Sequence, residues 1–159
     1  MILVLLGTQD KPFLRLLKMV SKEIVKGNIK EKVVAQTGYT AFSDKNMESF
    51  DFKNKEEIEK LIDKARIIIT HAGVGTITEC LEKGKKIIVV PRLKKYLEHT
   101  NDHQMQITKE FEMKGYVIAL YDKSRLSAAL EKIKTFKPKR YESNSENFRM
   151  KIKDYIDNI

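Results

Sequence analysis

A chain of 159 residues fits one domain of ordinary size, and 42% hydrophobic with 33% charged residues describes a globular, water-soluble protein, neither disordered nor membrane-spanning. Its longest apolar runs, Met1–Leu6 and Ile87–Pro91, fall far short of the roughly 20 residues a bilayer helix needs. The single cysteine, Cys80, excludes an internal disulfide framework, and 31 Lys and Arg against 22 Asp and Glu give a formal charge of +9 that attracts anions.

Met1–Leu6 lacks the basic start of a signal peptide and runs straight into Gly7, so the chain is expected to stay in the cytoplasm. The charge alone is also that of a lysine-rich solvated exterior. No zinc-finger spacing, RNA-recognition aromatic signature or basic recognition helix points to nucleic acid, and no nucleic-acid partner is expected.

Along the chain, apolar runs alternate with helical periodicity. Ile2–Leu6 reads as a strand, and Phe13–Val25 as a helix with Phe13, Leu16, Leu17, Val20 and Ile24 at helical spacing. Val33–Gln36 and Met47–Phe52 are short strands, and Lys55–Lys64 is a helix with Ile58, Leu61 and Ile62 on one face. Arg66–Thr70 is a strand, Thr76–Lys83 a helix stopped at Gly84, and Lys86–Val90 a strand closed by Pro91. His99–Lys114 is a helix stopped at Gly115, Tyr116–Leu120 a strand, and Ser124–Thr135 a helix. Lys137–Arg140 is a basic linker, and Glu146–Ile159 a final amphipathic helix. Wholly apolar strands separated by helices predict a doubly wound, Rossmann-like parallel sheet covered on both faces. Residues 1–140 then form the domain, and 141–159 an appendage.

Ligands of such sheets bind beyond the carboxyl ends of the strands, where the strand order reverses. The first strand ends in Gly7-Thr8-Gln9, and Arg66–Thr70 ends in His71-Ala72-Gly73-Val74-Gly75-Thr76. If these strands are neighbours, both loops open onto one crevice. Gly73 and Gly75 permit a tight strand-to-helix turn, and they also let bare main-chain N–H groups approach an anion at a helix start. Thr76 and Glu79 fit a capping box, in which Glu79 only caps the helix; alternatively Glu79 faces a ligand from one turn inside. Pro91–Gln104 gathers Arg92, Lys94, Lys95, Glu98, His99, Asn101, Asp102, His103 and Gln104. That set suits a hydroxyl-rich ligand, or equally an exposed loop with Thr100 or Asn101 as helix cap. His71, His99 and His103 are not read as a metal site.

The ordered set Gly7-Thr8, Gln36-Thr37-Gly38, THAGVGTITECLEKGKKIIVVPR and EHTNDHQ resembles the donor-binding half of GT-B glycosyltransferases of the lipid II-forming type. It is more similar still to the small catalytic subunits of two-component transferases, one group of which builds bacterial capsule and exopolysaccharide. The resemblance implies a single GT-B C-terminal-type domain in which Gly73, Val74, Gly75 and Thr76 hold the diphosphate of a UDP-sugar. It implies that Glu79 contacts the ribose, that Asp102, His103 and Gln104 read sugar hydroxyls, and that Gly7 and Thr8 line the cleft. UDP-sugar is then substrate, and neither a cofactor nor a metal is expected; no DxD spacing occurs. The reading is an inverting transferase subunit for a lipid-linked sugar acceptor. His71, Glu98 and His103 are in-chain candidates for the general base, although a membrane-anchored, acceptor-binding partner is expected to supply it. The final helix, with Phe148, Ile152, Tyr155, Ile156 and Ile159 on one stripe, docks that partner or packs on its own domain. The protein would then sit at the inner membrane face, with Arg92, Lys94 and Lys95 toward anionic lipid. A non-catalytic nucleotide-sugar-binding module is the alternative.

Overall fold

A computed structural model of the chain describes residues 1–122 and 124–143. Strands β1 (Ile2–Leu5), β2 (Val33–Gln36), β3 (Glu48–Phe50), β4 (Ile67–Thr70), β5 (Lys86–Val89) and β6 (Ile118–Ala119) form one sheet in the order β3-β2-β1-β4-β5-β6. Every pairing is parallel, with Leu5 opposite Gln36 on one side and Thr70 on the other. Helices α1 (Leu14–Val25), α2 (Lys55–Lys64), α3 (Val74–Glu82), α4 (His103–Met113) and α5 (Leu126–Thr135) cover both faces. This is the doubly wound sheet expected of the sequence, and its order reverses between β1 and β4.

Strand alternation divides the core. Ile2, Val4 and Leu6 pack with Leu16, Leu17 and Val20 of α1 and Leu130 and Ile133 of α5. Leu3 and Leu5 pack with Ile62 of α2 and Ile77 and Leu81 of α3. Burying each such side chain stabilises by about 1.5–3 kcal/mol, so the sheet faces fix which edge each loop leaves from. Asn54 and Glu57 form a reciprocal capping box that starts α2 just beyond β3.

Several boundaries differ from expectation. Helix α3 begins at Val74 rather than Thr76, and its cap is Gly73 with no side-chain bond. Thr76 therefore lies inside the first turn, and the Thr76/Glu79 capping box does not form. Helix α4 begins at His103 rather than His99, because residues 99–102 are committed to a turn: Asn101 Oδ1 accepts from His103 N–H at 3.0 Å, and Asp102 Oδ1 from Lys94 N–H at 2.8 Å. Strand β6 keeps only two of the five residues expected. The basic linker is anchored, with Lys139 N–H donating to Gly115 O at 3.0 Å and Tyr141 edge-on to Tyr116. The expected last helix, 146–159, lies outside the described residues. Among the described residues no helix is long and apolar enough to cross a membrane.

Candidate functional site

The reversal between β1 and β4 opens a crevice of about 500 Å³ at the carboxyl edge of the sheet. Gly7, Thr8 and Gln9 line it from the end of β1, and His71, Gly73, Gly75, Thr76 and Glu79 from the end of β4 and the first turns of α3. The two loops that the sequence brings forward thus share one cavity. Val74, in the same turn, is 48% exposed and is not part of the wall.

Local geometry explains the glycines. Gly7 has φ +78, and a Cβ there would come within 2.5 Å of His71 Nε2; a Cβ on Gly73 would overlap His71 Cε1. Both glycines therefore house the imidazole, which lies between the two loops. Gly75 differs: a Cβ there meets nothing within 4 Å, because it would project into open space. Gly73 leaves the first turn of α3 without a side-chain cap, and the first internal bond of the helix runs from Ile77 N–H to Gly73 O at 3.0 Å. The N–H groups of Val74, Gly75 and Thr76 have no intrahelical acceptor, and the helix dipole adds roughly half a positive charge at the same place. Such a helix start binds anions.

His71 is held in one tautomer. Gln104 Oε1 accepts from Ala72 N–H at 3.1 Å and from Arg92 N–H at 3.0 Å, which fixes the orientation of the amide. Its Nε2, a donor only, then faces His71 Nδ1 at 3.4 Å. Nδ1 must accept, so the ring proton sits on Nε2, and Nε2 is buried with no partner among the described residues. Burial, reinforced by the charges of Arg92 and His99, pushes the pKa of His71 down to about 4, so the ring is neutral near pH 7.

The second sequence cluster separates into parts. Arg92 is 1% exposed and donates to the carbonyls of Leu6, Lys11 and Glu98, tying the loop that carries Gly7 and Thr8 to the end of β5. It faces no lipid and no sugar. Burial lowers its pKa to about 10. Glu98 is buried against Arg15, with Oε2 2.8 Å from Nη2, and also accepts from Leu93 N–H. Both its oxygens are engaged, so Glu98 is not free to act as a base. His103 is exposed, with Nδ1 3.1 Å from Gln106 Oε1. Asp102, His103 and Gln104 are not part of the crevice wall; Gln104 reaches it only through His71.

The sequence marked Gln36 only as part of the Gln36-Thr37-Gly38 segment, without a place in the site, and did not mark Lys53 and Lys55; all three are wall residues. The available signal was their position at the carboxyl ends of β2 and β3. Lys53 lies 3.2 Å from Glu57 and over the Phe50 ring, and Lys55 lies 3.6 Å from Glu59. Among the described residues, no group of three or more His, Cys, Asp or Glu is arranged to hold a metal ion.

Comparison with known proteins follows the same lines. UDP-N-acetylglucosamine transferase subunit ALG13 of Homo sapiens is 35% identical over 66 residues, covering 42% of this chain and 6% of that protein. The UDP-N-acetylglucosamine--N-acetylmuramyl-(pentapeptide) pyrophosphoryl-undecaprenol N-acetylglucosamine transferase of Geobacillus kaustophilus is 29% identical over 125 residues, 76% of this chain and 31% of that enzyme. Across five curated relatives the match spans between 5% and 33% of their length. An NMR solution structure of ALG13 superposes with a TM-score of 0.58 at 20% identity, covering 94% of this chain and 93% of that one, which is a likeness of fold. The glycosyltransferase family 28 C-terminal domain matches residues 1–159, and the chain belongs to that family.

Proposed function

We propose that the chain is the donor-binding subunit of an inverting glycosyltransferase that takes its sugar from a UDP-sugar. The observation that carries this reading is the shared crevice: the uncapped N–H groups at the start of α3 and the open space over Gly75 meet there, with the His71 ring packed into the wall between Gly7 and Gly73. A diphosphate supplies the acceptor oxygens that these donors lack. Glu79, on the same wall and released from any capping role, is left to accept from the ribose hydroxyls.

In transfer, the acceptor hydroxyl attacks the anomeric carbon from the face opposite the diphosphate. The new C–O bond forms as the bond to the β-phosphate oxygen breaks; UDP leaves with the electron pair, and a base takes the hydroxyl proton. The charge that develops on UDP falls on fixed donors, which is where stabilisation lowers the barrier. His71 does not serve as the base, because its Nδ1 faces Gln104 and its Nε2 is buried between Gly7 and Gly73. His103 stands outside the crevice. These placements favour a base carried by a partner that also holds the acceptor.

The names of the two relatives, a transferase subunit and an N-acetylglucosamine transferase acting on a pyrophosphoryl-undecaprenol, support a partner chain and a lipid-linked sugar as acceptor; that the partner is membrane-anchored is part of the proposal. Capsule or exopolysaccharide synthesis is the narrower form of the proposal and rests on the motif resemblance alone. The test is transfer of radiolabelled sugar from a panel of UDP-sugars to membrane lipid, with the chain and its candidate partner co-expressed. Transfer that requires both chains and falls at least tenfold in Glu79→Ala supports the reading. UDP binding without transfer under any pairing would favour a non-catalytic nucleotide-sugar-binding module.

A further inference from the structure

A second cleft opens at the carboxyl edge of the sheet, on the opposite face from the crevice, between α1 and the turn that follows β5. Its volume is about 550 Å³, and Pro12, Leu14, Met19 and Tyr96 supply its apolar wall. Arg15 and Glu98 neutralise each other at its base. Lys18 and Lys22, one turn apart on α1, line it and form no ion pair among the described residues.

The adjoining turn, Lys94–Tyr96, leads into Leu97, which is 79% exposed. Leu97 also has φ +58, a left-handed conformation that a leucine rarely adopts. Folding therefore gains nothing from a leucine here. The turn is nevertheless well held. Tyr96 donates to Asp122 at 2.8 Å and lies under the Arg15 guanidinium, and Lys95 pairs with Asp122. Lys94 forms no ion pair among the described residues.

We propose that this turn and the neighbouring face of α1 dock on an anionic lipid bilayer, with Leu97 and Tyr96 entering the headgroup layer and Lys18, Lys22 and Lys94 binding lipid phosphates. The composition favours a bilayer over a protein. Protein interface cores are depleted in lysine, whereas tyrosine and lysine around an apolar tip match the membrane interface. The proposal deepens the lipid-linked-acceptor reading, on which its purpose rests, because the cleft and the crevice leave the same sheet edge and docking would hold the crevice near the headgroups.

The test is co-sedimentation of the full chain with phosphatidylglycerol/phosphatidylcholine vesicles and with phosphatidylcholine alone. Binding is expected only to the anionic vesicles and should weaken with salt. Each lysine at the surface contributes about 5-fold, so Lys18→Gln/Lys22→Gln/Lys94→Gln should lower binding about 100-fold. Leu97→Asn suits the left-handed backbone and should still lower binding several-fold. Lys30→Gln/Lys60→Gln/Lys64→Gln removes the same charge elsewhere and should have a much smaller effect. Equal loss in both triple variants, binding unchanged by Leu97→Asn, or no binding to anionic vesicles overturns the proposal. Titration with UDP keeps the two readings apart: vesicle binding without UDP binding removes the donor reading alone, and UDP binding without vesicle binding removes this one alone.

Discussion

Gln104 presents its amide nitrogen to His71 Nδ1 at 3.4 Å because its oxygen is already committed to the main-chain N–H groups of Ala72 and Arg92. One buried side chain thus joins the ends of β4 and β5 and sets the proton of the crevice histidine. Gln104→Ala leaves two buried N–H groups without an acceptor, each worth about 1–3 kcal/mol. Urea denaturation should show a lower midpoint, and UDP affinity should fall with it. Gln104→Glu keeps an acceptor but places charge beside the ring; nitrogen-15 shifts of His71 should then report a raised pKa.

His71 also makes stability depend on pH. Its folded-state pKa near 4 lies below the ordinary 6.5. Between those values the unfolded chain binds a proton that the folded chain does not, so unfolding takes up a proton and acid favours it. The contribution is fully present above pH 6.5 and is lost as pH falls through about 4. A shift of this size corresponds to about 3 kcal/mol. The difference in unfolding free energy between wild type and His71→Gln, followed from pH 7 to pH 4, should shrink by that order. A constant difference would contradict the buried neutral ring.

Gly75 and Gly73 should separate by substitution. Gly75→Ala adds a Cβ into open space and removes a helix glycine, so the unliganded protein should gain up to about 1 kcal/mol. If the diphosphate occupies that space, UDP affinity should fall at least tenfold in the same variant. Gly73→Ala drives a methyl into His71, and both stability and affinity should drop. Thermal unfolding with and without UDP reads all four quantities.

Much of this was legible in the sequence. Apolar runs such as Ile2–Leu6 and Ile67–Ile69 mark the parallel sheet by themselves, since a strand buried on both faces has few polar positions. The start of α3 was harder to read. Thr76 and Glu79 match a capping pattern, but Gly73 starts the helix with main-chain atoms alone. Arg92 was unreadable for another reason. An arginine after Lys-Ile-Ile-Val-Val-Pro looks exposed, and it is the carbonyls of Leu6, Lys11 and Glu98, two of them from a part of the chain distant in sequence, that make its burial tolerable. Lys53 and Lys55 join the crevice through strand order, which periodicity does not report.

Glu79 offers a test by difference. If its carboxylate accepts from the ribose, wild type should bind UDP several-fold more tightly than 2′-deoxy-UDP or 3′-deoxy-UDP. In Glu79→Ala at least one of those preferences should vanish, while the urea midpoint stays unchanged. Calorimetric titration of the three nucleotides into both proteins completes the cycle.

The most direct measurement is the set of main-chain amide shifts in a nitrogen-15 correlation spectrum as UDP is added. A diphosphate seated at the start of α3 should move Val74, Gly75 and Thr76 furthest, with Gly7, Thr8 and the His71 ring following at the same apparent affinity, and inorganic phosphate should move the same amides more weakly. Shifts confined to other surfaces, such as the α1 cleft around Lys18 and Lys22, or no shifts at millimolar UDP, would contradict nucleotide binding in this crevice.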